Sequence, residues 1–97
     1  MENFKFKKQV RLIIGKLQAD NTFRYWKVEN ENVDTPIGGF AIVENLNSYT
    51  MVEILGLVVT SEEKAQELSK THYNNIKRVL KTFDVDELIM MKGNENE

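Results

Sequence analysis

Hydrophobic and polar positions alternate along the start of the chain, over residues 4–17. A period of two predicts a half-buried β-strand whose polar positions form a basic face. Gly15 within this run predicts a bulge or a bend. Residues 22–28 are rich in aromatic and β-branched side chains, and short turn-forming residues at 19–21 precede them. The two runs therefore predict a β-hairpin.

Two more strands are predicted in the middle of the chain. The sequence Pro-Ile-Gly-Gly at 36–39 predicts a sharp turn, because proline fixes φ and glycine permits positive φ. Residues 40–44 and 49–60 then predict strands joined by a short loop, and Gly56 in the second indicates a bulge. Successive strands with short connections predict a meander that forms a small barrel or a curled sheet.

The segment after residue 60 carries conflicting signals. Ser61 followed by two glutamates is a typical helix start, and apolar residues then recur every three or four positions to about residue 82. Poor helix formers cluster after residue 70, so the pattern alone leaves 71–83 as either helix or strand. Asp84 followed by further acids predicts a C-terminal helix near 84–91.

Three short motifs follow one another from Pro36 onward: a glycine turn entering a strand, a tyrosine-led strand, and a strand ending in aspartate. Their matching positions are Gly38, Ile42, Val43, Glu44, Tyr49, Val52, Ile54, Leu57, Ile76, Val79, Leu80, Phe83 and Asp84. In these motifs the chain resembles a group of small, largely uncharacterised proteins from bacteriophages and mobile elements of Gram-positive bacteria. Gly39 departs from that group, which has aspartate after the turn glycine.

The resemblance implies an SH3-like five-stranded barrel, with the first helix confined to about 62–71 and a strand at about 75–83. It implies no function. Together with the hydrophobic pattern, it predicts a mainly β fold, either a small SH3-like barrel or a curled antiparallel sheet. A short helix near 62–71 and a C-terminal helix near 84–91 complete the predicted fold.

Length and composition limit the class of protein. The 97 residues fit a single domain, predicted over 1–92, with a disordered tail at 93–97. The chain has no cysteine, which excludes disulfides and thiolate chemistry. No apolar run approaches the length of a membrane span, so we expect a cytoplasmic protein, in the host cell if phage encoded.

Catalytic motifs are missing from the sequence. His72 is the single histidine and has no nucleophile or acid at motif spacing. Asp84, Asp86 and Glu87 fit a helix start better than a metal site, and Gly38-Gly39 lacks the spacing of a phosphate-binding loop. We therefore expect a non-catalytic binding module without metal or cofactor.

Charge is unevenly distributed along the chain, although its net value is −2. Residues 28–63 contain seven acidic residues and no lysine or arginine. The first hypothesis is that this acidic segment docks onto a protein that handles nucleic acid and inhibits it as a charge mimic. The candidate protein-interaction residues are Glu29, Glu31, Asp34, Glu44 and Glu53.

Residues 1–27 are basic, with seven lysines and arginines against two acids. Basic and aromatic side chains on a small β-barrel are a known means of holding single-stranded nucleic acid, which gives the alternative hypothesis. Its candidate residues are Lys5, Lys7, Arg11, Arg24, Tyr25 and Trp26, with Lys27 as an extension. Self-association into a homodimer is compatible with either hypothesis.

Overall fold

The computed structural model describes residues 8–17 and 21–87. Five strands, one α-helix and one 3₁₀ turn lie whole within the described residues, and residues 85–87 begin a further helix. Their bounds are β1 Gln9–Leu17, β2 Thr22–Val28, β3 Phe40–Asn45, β4 Ser48–Ser61, α1 Glu62–Ser69, the 3₁₀ turn Tyr73–Asn75, and β5 Val79–Phe83. The strands form one antiparallel sheet in the order β2-β1-β4-β3-β5. The predicted meander is wrong, because β1 pairs with β4 and β2 is not beside β3. The predicted mainly β fold with a curled antiparallel sheet is confirmed.

The long strand β4 connects the two parts of the sheet. Its first half pairs with β3, and its second half, from Ile54 to Ser61, pairs with β1. The register shifts opposite Ile14 and Gly15, so that Leu55 has no cross-strand partner and forms a bulge. A bulge bends and twists a strand, and this one lies at the two glycine positions where the sequence predicts it.

The curled sheet nearly closes on itself. A parallel bridge joins Lys27 at the end of β2 to Arg78 just before β5, and the Lys27 amide donates to the Lys77 carbonyl at 2.8 Å. The sheet therefore has a concave inner face and a convex outer face. The inner face encloses the main core, whose buried residues are Ile13, Leu17, Trp26, Val28, Ala41, Val43, Val52, Ile54 and Val79.

One half of the outer face is covered by α1 and the 3₁₀ turn. The helix begins where Ser61 Oγ accepts from the Lys64 amide at 3.1 Å, and ends at Lys70, whose φ is +59°. Its Ala65 packs fully buried against β1. The second buried cluster comprises Val10, Leu12, Ala65, Tyr73 and Ile76, with Tyr25 and Val58 against it.

The segment between α1 and the end of β5 is a turn and a strand, which answers the open question at 71–83. Lys70 takes the left-handed conformation, and this ends the helix directly before the poor helix formers that start at Thr71. The predicted helix near 62–71 is thus confirmed as Glu62–Ser69, and the predicted strand is confirmed over Val79–Phe83.

The turn at Pro36 explains the departure from the motif at Gly39. Gly39 N donates to the Pro36 carbonyl at 2.9 Å, and Gly38 between them has a φ of +89°. A Cβ on Gly39 would collide with the Phe83 carbonyl oxygen at the end of β5. An aspartate at this position would therefore push β5 away from β3.

Several predictions lie partly outside the described residues. The predicted start of the C-terminal helix is present, because Asp84 Oδ1 accepts from the Glu87 amide at 2.8 Å and Glu87 Oε1 accepts from the Asp84 amide at 3.1 Å. This reciprocal pair is a capping box. The remainder of that helix, the start of the first predicted strand at 4–7, residues 19 and 20 of the turn, and the tail at 93–97 lie outside.

Candidate protein-interaction surface

Glu44, one of the acidic candidates, is already paired within the molecule. Its Oε2 accepts from Arg78 Nη2 at 2.9 Å, and its Oε1 accepts from the Arg78 amide at 2.9 Å. These two hydrogen bonds lower the pKa of the Glu44 carboxyl from 4.5 to about 2. Glu44 therefore ties β3 to the residue that precedes β5, and its charge is largely neutralised.

Glu29 neutralises a buried lysine. Lys27 is 4% exposed, and its Nζ lies 3.4 Å from Glu29 Oε2 and donates to the Tyr73 carbonyl at 3.0 Å. The same ammonium lies 4.5 Å from the centre of the Tyr73 ring. Burial, followed by the charges of Glu29 and Glu62, raises the pKa of the Tyr73 hydroxyl. Lys27 thus anchors the 3₁₀ turn, and it does not extend a basic surface.

The remaining acidic candidates do not share a surface. Glu31 and Asp34 lie exposed on the loop between β2 and β3, where the Asp34 carbonyl accepts from Thr82 Oγ1 at 2.7 Å. Glu53 lies in the middle of β4 on its outer face. The structure therefore distributes the five acids over a loop, the end of β3 and the centre of the sheet.

The basic candidates are also separated. Lys5 and Lys7 lie outside the described residues. Arg11 Nη2 donates to the Asn30 carbonyl at 3.0 Å, and Arg24 Nε donates to Thr22 Oγ1 at 3.3 Å. In the cross-strand register, both arginines lie on the inner-face side of their strands.

The aromatic candidates are packing residues. Trp26 is 3% exposed in the main core, and its Nε1 donates to the Glu44 carbonyl at 3.0 Å. Tyr25 is half-buried on the opposite face, against the cluster beneath α1. Because the Trp26 ring is enclosed, it is not exposed for stacking on a base.

A different surface is formed by the outer face of β3, β4 and β5. In one cross-strand row Ile42 lies between Lys81 and Met51, and in the next row Phe40 lies between Phe83 and Glu53. Alternate residues of a strand point to the same face, so these six side chains share the outer surface. We call this surface the open face, comprising Phe40, Ile42, Met51, Glu53, Lys81 and Phe83.

The open face has a half-buried apolar centre, formed by Phe40 and Ile42, and an exposed margin on β4. Met51 is 48% exposed, and the neighbouring Tyr49 is 65% exposed. A shallow groove of about 560 Å³ lies alongside, lined by Met51, Phe40, Glu53 and Leu55 among others. No helix or strand of residues 8–17 and 21–87 lies over this part of the sheet.

The two charges of the open face differ from the paired charges described above. Lys81 Nζ lies 5.1 Å from the centre of the Phe83 ring on its own strand. Within the described parts of the chain, the Glu53 carboxylate makes no hydrogen bond or ion pair. The carboxylate of Glu53, with Lys16 lining the same groove, and the ammonium of Lys81 are therefore available to an incoming molecule.

The sequence contains a signal for this surface. In β3 the residues Phe40, Ala41, Ile42 and Val43 are apolar on both faces of the strand. A continuous apolar run is typical of a strand buried on both sides. The inner half of that run packs in the core, whereas the outer half has no covering element in the described structure.

A further apolar strip lies on the inner-face side of β4, in the part that follows Glu53 and has no β3 residue beside it. Leu57 and Val59 are 40% and 55% exposed. They pair laterally with β1 alone, so the opposite edge of this part of β4 has no strand beside it in the described residues. This strip contains no charged side chain from Ile54 to Ser61.

Other candidate chemistry is structural. His72 Nδ1 accepts from the Asn74 amide at 3.3 Å and caps the 3₁₀ turn. Asp84 and Glu87 cap one another. The residues that the structure describes contain no cluster of three potential metal ligands. They also contain no helix with the length and apolar character required to span a bilayer.

Comparison with models of protein families, with curated proteins and with solved structures finds no match for this chain. The resemblance to small phage proteins consequently stays a prediction.

Proposed function

We propose that this protein is a non-catalytic protein-binding module and that the open face is its interaction surface. The observation that carries the proposal is the apolar centre of this face, where the half-buried Phe40 and Ile42 lie between the exposed Met51 and the half-buried Phe83, with no described element over them. Contiguous exposed apolar patches with polar margins are typical of sites where proteins associate.

The geometry of the face suits rigid docking. Its central strand β3 is paired on both sides, by β4 and by β5. The side chains therefore stand on a framework whose backbone is already hydrogen-bonded, and little conformational entropy is lost when a partner covers them. A three-stranded surface without a deep cavity favours a folded partner over a small molecule.

The acidic and basic hypotheses receive less support from the geometry. Glu29 and Glu44 form ion pairs within the chain, and Trp26 is enclosed in the core. We retain interaction with another protein as the function, and we move it from the acidic segment to the open face. An origin in a phage or mobile element, with action in the host cytoplasm, rests on the resemblance alone.

The test uses two substitutions on opposite faces of the same strand. Met51→Lys places a charge in the open face, whereas Val59→Lys places the same charge on the inner-face side of β4, at similar exposure. Immobilised wild-type protein and both variants are incubated with a lysate of a Gram-positive bacterium, and each captured protein is then purified for titration.

We expect Met51→Lys to weaken binding of the captured protein at least about tenfold, since burial of an unpaired charge costs more than 1.4 kcal/mol. Val59→Lys should bind as wild type. Equal affinity for wild type and Met51→Lys would contradict the proposal. Binding of labelled single-stranded DNA that falls steeply with salt would favour the nucleic-acid alternative.

A further inference from the structure

The two charges of the open face have a self-complementary arrangement. Lys81 lies on β5 in the row that contains Ile42, and Glu53 lies on β4 in the row that contains Phe40. The ammonium and the carboxylate therefore occupy diagonally opposite corners of the face, with the two central apolar residues of β3 between them.

This diagonal has a consequence for a face-to-face pair with two-fold symmetry. If the axis lies in the interface and runs perpendicular to the diagonal, Lys81 of one copy lies opposite Glu53 of the other. The same operation brings the second Glu53 opposite the second Lys81. Both ion pairs then form at once around a shared apolar centre.

We propose that the open face binds a second copy of this chain in a symmetric dimer held by two reciprocal Lys81–Glu53 ion pairs. The inference rests on the proposed function and specifies its partner. A random partner would need a matching cation and anion at this spacing, whereas a second copy supplies them by symmetry. Both charges lack an ion-pair partner in the described residues, and the dimer gives each of them one.

The size of the face limits the strength of the dimer. Three short strands present less surface than the roughly 800 Å² per partner of a standard stable interface. We therefore expect a reversible dimer whose dissociation constant is micromolar or weaker. Its population should depend on protein concentration and, through the ion pairs, on salt.

Charge reversal at each corner tests the arrangement directly. Lys81→Glu makes both corners of the face acidic, and Glu53→Lys makes both corners basic. Each variant alone should repel its own copies and sediment as a monomer at concentrations where the wild type dimerises. In an equimolar mixture every acidic corner meets a basic one, so the mixture should form a heterodimer.

The double variant Lys81→Glu with Glu53→Lys provides a second check, because it exchanges the two corners and should restore the homodimer. Lys70→Glu is the matched control, since Lys70 is an exposed residue at the end of α1 and should leave dimerisation unchanged. Circular dichroism of every variant verifies that the β fold is retained.

The outcomes separate this inference from the proposed function. A wild-type chain that remains monomeric up to about 1 mM would overturn the dimer. If Met51→Lys then still abolished capture of another protein, the open face would be an interaction site for that protein. A dimer that tolerates both charge reversals, but dissociates on Val59→Lys, would assign dimerisation to the edge of β4 and overturn the inference.

Discussion

The outer side of this sheet has one half that is covered by other elements of the chain and one half that is exposed. Over β1, β2 and the second half of β4, α1 and the 3₁₀ turn bury Leu12 to 0% exposure. Over β3, β5 and the first half of β4, Met51 stays about half exposed. The same type of strand thus carries structural residues on one half and a candidate interaction surface on the other.

Charges in the two halves follow the same division. On the covered half, the ammonium of Lys27 is enclosed and has a carbonyl, a ring and a carboxylate as partners. On the open half, Lys81 and Glu53 face outward on an apolar surface. Charged residues without a partner inside the chain, more than segments with a high density of charge, are therefore the ones available for binding.

Truncation of one apolar residue in each half should produce the largest contrast. Leu12→Ala removes a fully buried side chain and should lower the free energy of unfolding by about 2–5 kcal/mol. Met51→Ala removes a half-exposed one and should cost less than about 0.5 kcal/mol. Urea denaturation at low protein concentration measures both, because dilution removes any stabilisation by a dimer. If the two variants lost similar amounts of unfolding free energy, Met51 would be buried and the open face would be covered.

The buried lysine supplies a test of intermediate size. Lys27→Met keeps the aliphatic stem but removes the hydrogen bond to the Tyr73 carbonyl and the ion pair with Glu29. We expect a loss of about 1–2 kcal/mol in the free energy of unfolding, since the carbonyl retains the Ile76 amide as a donor. Lys81→Met serves as the comparison in dilute solution, where it should be close to neutral. An unchanged free energy of unfolding in Lys27→Met would contradict the role of Lys27 as an anchor of the 3₁₀ turn.

The ion pair between Glu44 and Arg78, which joins β3 to the start of β5, gives the smallest expected effect and makes it depend on pH. The pKa of Glu44 is about 2 in the folded chain, below its ordinary value of 4.5. The pair therefore stabilises the fold fully above pH 4.5, and this contribution is lost as pH falls towards 2.

Glu44→Gln should lower the free energy of unfolding by about 1 kcal/mol at neutral pH, because the ion pair with Arg78 is partly exposed. The difference in unfolding free energy between wild type and variant should shrink as the pH is lowered from 4.5 towards 2. Thermal melts from neutral to acid pH record it. A difference that stays constant down to the lowest pH would rule out the carboxylate as its source.

Much of the fold follows from local sequence signals. Alternation predicts β1, turn residues predict the sharp bend at Pro36, and Ser61 with its following acids predicts the start of α1. These signals act within a few residues, so they are readable from a single chain. The region 71–83 was ambiguous because apolar spacing fits both a helix and a strand, and the left-handed Lys70 decides between them.

The candidate surfaces were less predictable for a physical reason. Whether Glu44 or Lys27 is available depends on Arg78 and Tyr73, which lie 34 and 46 residues away along the chain. Trp26 reads as an interaction residue by composition, yet the parity of β2 places it in the core. The open face combines β3, β4 and β5, and only the cross-strand register reveals that Lys81 and Glu53 occupy its corners.

The most direct test of the open face as a self-association surface is sedimentation velocity of Lys81→Glu, Glu53→Lys and their equimolar mixture, beside the wild type. We predict a dimer for the wild type, monomers for each variant alone, and a dimer for the mixture. A mixture that remains monomeric under conditions where the wild type dimerises would contradict this prediction.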